Sequence, residues 1–93
     1  MQNLAKIFKA LGNQRRLKIL QILSKPQVLS VGDIAQKLDL SVKSTSRHLL
    51  KLEEAEFISR RQQSLNVFYS LPNLKKGDLI SDLLRLVKKQ LMD

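Results

Sequence analysis

The chain has 93 residues, 43% of them hydrophobic and 27% charged, with 3 Gly and 2 Pro, the balance of a folded globular chain rather than a disordered one. At this length one small domain spans residues 1–93 and buries only about 60% of the surface that the unfolded chain exposes. Zero Cys excludes disulfide, zinc-thiolate, iron–sulfur and thiol-redox chemistry, a single His argues against an intrachain transition-metal site, and 17 Lys+Arg against 8 Asp+Glu give a net charge of +9, enough to attract a polyanion.

That charge is segregated along the chain, because Lys6, Lys9, Arg15, Arg16, Lys18 and Lys25 all precede the first acidic residue, Asp33. A merely solubilising surface does not require such a distribution. The N-terminal MQNLAKIFKALG is interrupted by Lys6 and Lys9 and lacks the continuous apolar run of a signal peptide. No stretch approaches the ~18 apolar residues that span a membrane. These features predict a soluble, intracellular protein with no membrane partner.

Leu4, Ile7, Phe8 and Leu11 fall at i, i+3, i+4 and i+7, one apolar stripe on a first helix that ends at Gly12. Asn13 caps a second helix whose inward residues are Leu17 and Leu20, with Ile19 and Leu23, until Ser24-Lys25-Pro26 stops it. Residues 26–30 read as a short connection. Ser30 with Asp33 three residues on resembles a capping box, Asp replacing the usual Glu or Gln, and opens a short helix with Val31, Ile34, Ala35 and Leu38 inward. After the break at Asp39-Leu40-Ser41, Ser41 caps a fourth helix with Thr45, Leu49 and Leu52 on its inner side. Two helices joined by so short a turn make a helix-turn-helix, here about residues 30–55. From Phe57 the period drops towards two through FISRRQQ, breaks at Ser64-Leu65-Asn66 and resumes in the β-prone VFYSL, which predicts a hairpin over about residues 57–71. Pro72 and Asn73 end it, and a last helix from Asp78 to Met92 carries Ile80, Leu83, Leu84, Val87 and Leu91 on one side.

Helix, helix, helix-turn-helix, hairpin, helix is the order of a winged helix-turn-helix, a mostly α fold with a small β-hairpin, in which the fourth helix enters a DNA major groove and the hairpin lies along the backbone. Opposite Thr45, Leu49 and Leu52 stand Lys43, Arg47 and Lys51, at i, i+4 and i+8. On a lone helix such a row is equally a solvated basic face; behind a capped helix and a tight turn it reads as a DNA-facing one. Arg47 has the planar fork that matches the O6 and N7 of guanine. Lys43, Ser44 and Ser46 suit bases or phosphates, and Val42 suits a thymine methyl or the edge of the core. His48 lies beside the inner side, where packing or a phosphate contact accounts for it and no nucleophile or carboxylate makes it a catalytic base. In the hairpin Arg60 and Arg61 point to opposite faces, and Gln62, Gln63, Ser64 and Asn66 supply uncharged donors, or simply a polar turn.

The segments ALGNQRRLKIL (10–20), SVGDIAQKLDLSVKSTSRHLLKLEEAEFISRR (30–61) and NVFYSL (66–71) resemble the ArsR family of bacterial and archaeal winged-helix regulators. The most specific piece is LSVKSTSRHLLKLEEA, and the likeness runs over roughly residues 4–90. The resemblance implies a homodimer paired through the first and last helices (about 3–12 and 74–92) that binds a palindromic operator and usually represses transcription. It places Ser46, Arg47 and His48 in the family's DNA-contacting Ser-x-His stretch, equates Arg16 with the Arg that opens the second helix, and Tyr69 with the aromatic of the second wing strand.

The departures are equally informative. Family metal sensors carry a Cys motif before the recognition helix, where VLSVGDIAQKL has none; others use His and acidic ligands on the last helix, which here offers Asp78, Asp82 and Asp93 without a His. Neither metal site carries over, and no cofactor is implied. The family's Gly after the recognition helix is Glu56, which either keeps a left-handed cap at a cost of about 1 kcal/mol or ends the helix differently. The wing tip also lacks the common Gly, with Asn66 a candidate for the turn.

A dimer follows from the residues as well. Leu4, Ile7, Phe8 and Leu11 with Ile80, Leu83, Leu84, Val87 and Leu91 give the terminal helices more apolar surface than so small a domain hides by itself. The expected partners are double-stranded operator DNA and a second copy; whether a small molecule or a protein switches the complex stays open. The wing and backbone contacts expected are Arg16, Arg60, Arg61, Gln63, Ser64 and Asn66, beside Val42, Lys43, Ser44, Ser46, Arg47, His48 and Lys51 of the recognition helix. The competing classes are a non-specific architectural DNA-binding protein and a winged-helix module for an acidic protein; no pattern supports an enzyme.

Overall fold

Every helix starts on a side chain that replaces a missing backbone partner. In the computed structural model, which describes residues 3–25 and 27–90, Asn3 accepts from the Lys6 amide and opens α1 (Leu4–Leu11). Asn13 accepts from the Arg15 and Arg16 amides at the start of α2 (Gln14–Leu23). At α3 (Val31–Leu38) the capping box is complete: the Asp33 amide donates to Ser30 Oγ at 3.1 Å and the Ser30 amide to the Asp33 carboxylate at 3.2 Å. Ser41 Oγ accepts from the Ser44 amide and opens α4 (Val42–Glu54). Asp78 accepts from both the amide and the hydroxyl of Ser81 ahead of α5 (Leu79–Gln90). These bonds satisfy amides that the first turn of a helix leaves unpaired.

Two helix ends use the left-handed conformation without glycine. Asp39 (φ +57°) and Glu56 (φ +67°) follow α3 and α4, and in each case the next amide reaches back five residues, Leu40 to Ala35 O at 3.0 Å and Phe57 to Leu52 O at 2.9 Å. This is the Schellman arrangement. Of the two endings expected for α4, Glu56 thus keeps the left-handed cap. Both joints are anchored by apolar residues, and Phe57 and Leu52 are wholly buried.

The sheet holds one strand more than the periodicity predicts. β1 (Leu29–Ser30), β2 (Ser59–Gln63) and β3 (Asn66–Ser70) are antiparallel in the order β1-β3-β2, with Leu29 opposite Tyr69 and Ser30 opposite Phe68. Two residues carry no period, so β1 reads as loop in the sequence. The hairpin begins at Ser59 rather than Phe57, because Phe57 and Ile58 are core residues that lead into it. Its two-residue turn places positive φ on Ser64 (+54°), not on Asn66, which pairs with Gln63 inside the ladder. Positive φ at the first turn position matches the primed turns that suit a hairpin's twist.

Ile7 and Ala10 of α1, Ile19, Leu20 and Leu23 of α2, and Ile34 of α3 meet Leu49 and Leu52 of α4 in the core, closed by Phe57, Tyr69, Ile80 and Leu84. Leu17, expected inward, is half-buried. No helix among the described residues is long and apolar enough to cross a membrane.

Thr45 sits on the core side of α4 with 0% exposure, and its hydroxyl has no hydrogen-bond partner. A buried unpaired hydroxyl destabilises the native state. Thr45→Val keeps the shape and removes the stranded oxygen, and is expected to raise unfolding stability by about 1 kcal/mol; an unchanged or lower urea midpoint contradicts that account.

Candidate nucleic-acid interface

Burial of Thr45, Leu49 and Leu52 fixes the rotation of α4, so the opposite side must face solvent. That side presents Lys43, Arg47 and Lys51, all exposed, with Ser46 and Val42 exposed towards the N-terminal end. Ser44 and His48 are half-buried on the flank. Leu50, 53% exposed, and Glu54 complete the outward surface. A cavity of about 160 Å³ lined by Lys6, Lys9, Arg16, Lys51 and Glu54 carries the basic surface across to α1.

Arg16 does not stand free beside this helix. Its Nε donates to Ala10 O at 2.7 Å and one terminal nitrogen to Lys9 O at 3.0 Å, closing carbonyls at the end of α1. The other terminal nitrogen reaches His48 Nδ1 at 3.3 Å. Arg16, expected to contact the DNA backbone, has its fork engaged inside the protein, tying α1 and α2 to α4. No local pattern could reveal a contact between residues 32 apart. Burial, then the charges of Arg16 and Arg15, hold the His48 pKa below 6.5, since each disfavours the imidazolium.

The wing's outer strand is exposed throughout. Arg60 pairs across from Tyr69 and Arg61 across from Phe68, so the two guanidiniums leave opposite faces of the sheet. Gln63 and Asn66 flank the turn, and Ser64 occupies it. Leu65 at the tip is 97% exposed, an apolar point that its polar neighbours hide in the sequence.

The terminal helices divide differently from the expected stripes. Ile7, Ile80 and Leu84 are 2–4% exposed and belong to the protomer's own core, because α5 lies against α2. The free apolar face comprises Leu4 (56% exposed), Phe8 (55%) and Leu86 (53%), beside half-buried Leu11, Leu83 and Val87. Leu86 is not among the stripe residues expected on the last helix, although its spacing of three from Leu83 places it beside them. Leu11, Leu17, Leu86, Val87 and Gln90 line a groove of about 250 Å³. Leu91 lies outside the described residues.

A capped helix-turn-helix with a three-stranded wing and a basic outward helix is a winged helix-turn-helix DNA-binding fold. Residues 13–60 match the model of the bacterial regulatory protein arsR family. The chain is 36% identical over 80 residues to the transcriptional activator HlyU of Vibrio cholerae, covering 86% of this chain and 73% of that protein. It is 36% identical over 83 residues to the transcriptional repressor SdpR of Bacillus subtilis, covering 89% and 91%. The solution structure of a homodimeric winged helix-turn-helix DNA-binding domain from Mycobacterium bovis, a possible ArsR-family regulator, superposes with a TM-score of 0.77 at 26% identity, over 96% of this chain and 78% of that one. The chain belongs to the arsR family and is a DNA-binding transcriptional regulator, not an enzyme.

The lowered His48 pKa couples protonation to stability. Between the folded pKa and 6.5 the unfolded chain binds more protons than the native one, so stability rises with pH through that window and is lost as pH falls through it. His48→Gln is expected to lessen the fall of the urea midpoint on acidification below 6.5; equal falls in wild type and variant would exclude His48 as a source.

Proposed function

We propose that the protein works as a homodimer that inserts α4 of each protomer into successive major grooves of a palindromic operator and represses transcription. The carrying observation is the row Lys43, Arg47 and Lys51 on the outward side of a helix whose inner side is locked in the core. A helix held that way presents its cations to phosphates and base edges together, which is the geometry of groove readout. Arg47 takes the guanine contact; Val42, Lys43, Ser44, Ser46, His48 and Lys51 supply the remaining base and backbone contacts. Arg60, Arg61, Gln63, Ser64 and Asn66 follow the flanking backbone as the wing.

Exposed Leu4, Phe8 and Leu86 on the two terminal helices favour pairing of two copies, since large apolar side chains left in water are what association covers. The homodimeric domain from Mycobacterium bovis favours the same arrangement. Two copies carry twice +9, or +18, and bring two recognition helices to half-sites about 34–36 Å apart. Repression follows if the dimer occludes a promoter, the direction in which the relative SdpR is named. A protein of this charge and family acts in the cytoplasm, where its DNA is. Switching proceeds without a metal effector, because the chain has no Cys and its single His is engaged by Arg16.

Selection of bound duplexes from a random pool should return a palindrome with half-sites about one helical turn apart, with affinity indifferent to chelator; enrichment of no motif would move the protein to the architectural class. On the selected duplex, Arg47→Ala should weaken binding by about 1–3 kcal/mol and relax preference at one position of each half-site. Phe8→Glu should yield monomers by sedimentation with the helical content retained, and a dimer that survives the charge would displace the interface from α1.

A further inference from the structure

Arg16 is held in one plane before it meets the recognition helix. Its donors at Ala10 O (2.7 Å) and Lys9 O (3.0 Å) fix two edges of the guanidinium against the end of α1, where carbonyls lack intrahelical partners. The remaining terminal nitrogen is thereby aimed at His48 Nδ1, 3.3 Å away. A guanidinium only donates, so Nδ1 must present its lone pair and the ring proton must sit on Nε2, on the side of the ring away from Arg16.

We propose that Arg16 is a positioning residue that holds His48 as a neutral, Nε2-protonated imidazole, so that α4 presents one fixed donor to a hydrogen-bond acceptor on DNA. The inference rests on the reading of α4 as the helix that enters the groove. The acceptor is a base-edge nitrogen or oxygen, or a phosphate oxygen; both accept and neither donates. Desolvation and the charges of Arg16 and Arg15 act in the same direction by opposing protonation of the ring. The contact therefore differs in kind from those of Lys43, Arg47 and Lys51. It is directional and uncharged, whereas theirs release counterions on binding.

One histidine in the chain makes a ¹⁵N-histidine spectrum unambiguous. In the free wild-type protein above pH 6.5, Nε2 is expected to appear protonated and Nδ1 bare. Arg16→Lys keeps the charge without the fork and should shift both nitrogens towards the averaged values of a mixed tautomer; an unchanged pair in a folded variant overturns the role of Arg16. Because that variant also loosens the end of α1, His48→Phe supplies a second arm, with folding checked by circular dichroism. On a selected duplex it should weaken binding about three- to tenfold, as loss of one hydrogen bond does, with the slope of log affinity against log salt unchanged. Loss confined to the selected duplex identifies a base acceptor, and equal loss on scrambled DNA a phosphate oxygen. No loss on either overturns the donor. Should the wild type itself enrich no duplex, the operator reading fails and the DNA role of the donor with it, while the imidazole spectrum still decides whether Arg16 fixes the tautomer.

Discussion

The constraint on which the structure turns is the wholly buried side of α4. Leu49 and Leu52 pack in the core shared with α2 and α3, and the chain folds back at Phe57, whose amide donates a hydrogen bond to Leu52 O. Burial of three apolar side chains of this size stabilises the packing by roughly 1.5–3 kcal/mol each, more than like-charge repulsion among exposed cations can oppose in water. The row Lys43, Arg47 and Lys51 is accordingly displayed by the core rather than by any contact of its own. Arg16 adds a second restraint, joining the end of α1 and the start of α2 to the flank of the same helix.

Most of this architecture is legible in the sequence because its signals are local. Asn13, Ser30 and Ser41 announce helix starts at the observed positions, and the spacing of Thr45, Leu49 and Leu52 gives the rotation of α4 directly. What escapes is non-local or too short to have a period. β1 is two residues, visible only through its pairing with Tyr69 and Phe68. The Arg16–His48 bond spans 32 positions. Division of the terminal stripes between core and free face depends on where α5 lands against α2, so Ile7, Ile80 and Leu84 look like Leu4, Phe8 and Leu86 until the packing is known.

The turns show how far local propensity is negotiable. Glycine is favoured at left-handed positions, yet Asp39, Glu56 and Ser64 occupy them here. At Asp39 and Glu56 the two back-reaching hydrogen bonds and the buried Phe57 hold the backbone, so tertiary context outweighs a local cost of about 1 kcal/mol. The cap matters more than the residue type, since it decides the angle at which the chain leaves α4 for the wing.

Ser30 belongs to two elements at once. It is the last residue of β1, paired with Phe68, and the N-cap of α3, bonded to Asp33. A strand that also caps a helix leaves no slack between them, and the wing's inner strand is thereby stapled to the first helix of the helix-turn-helix. The wing is not a separately hinged arm. A displacement of the wing is passed through β3 and β1 to α3 and its neighbour α4, so the orientation of the hairpin and that of the helix-turn-helix are set together rather than independently.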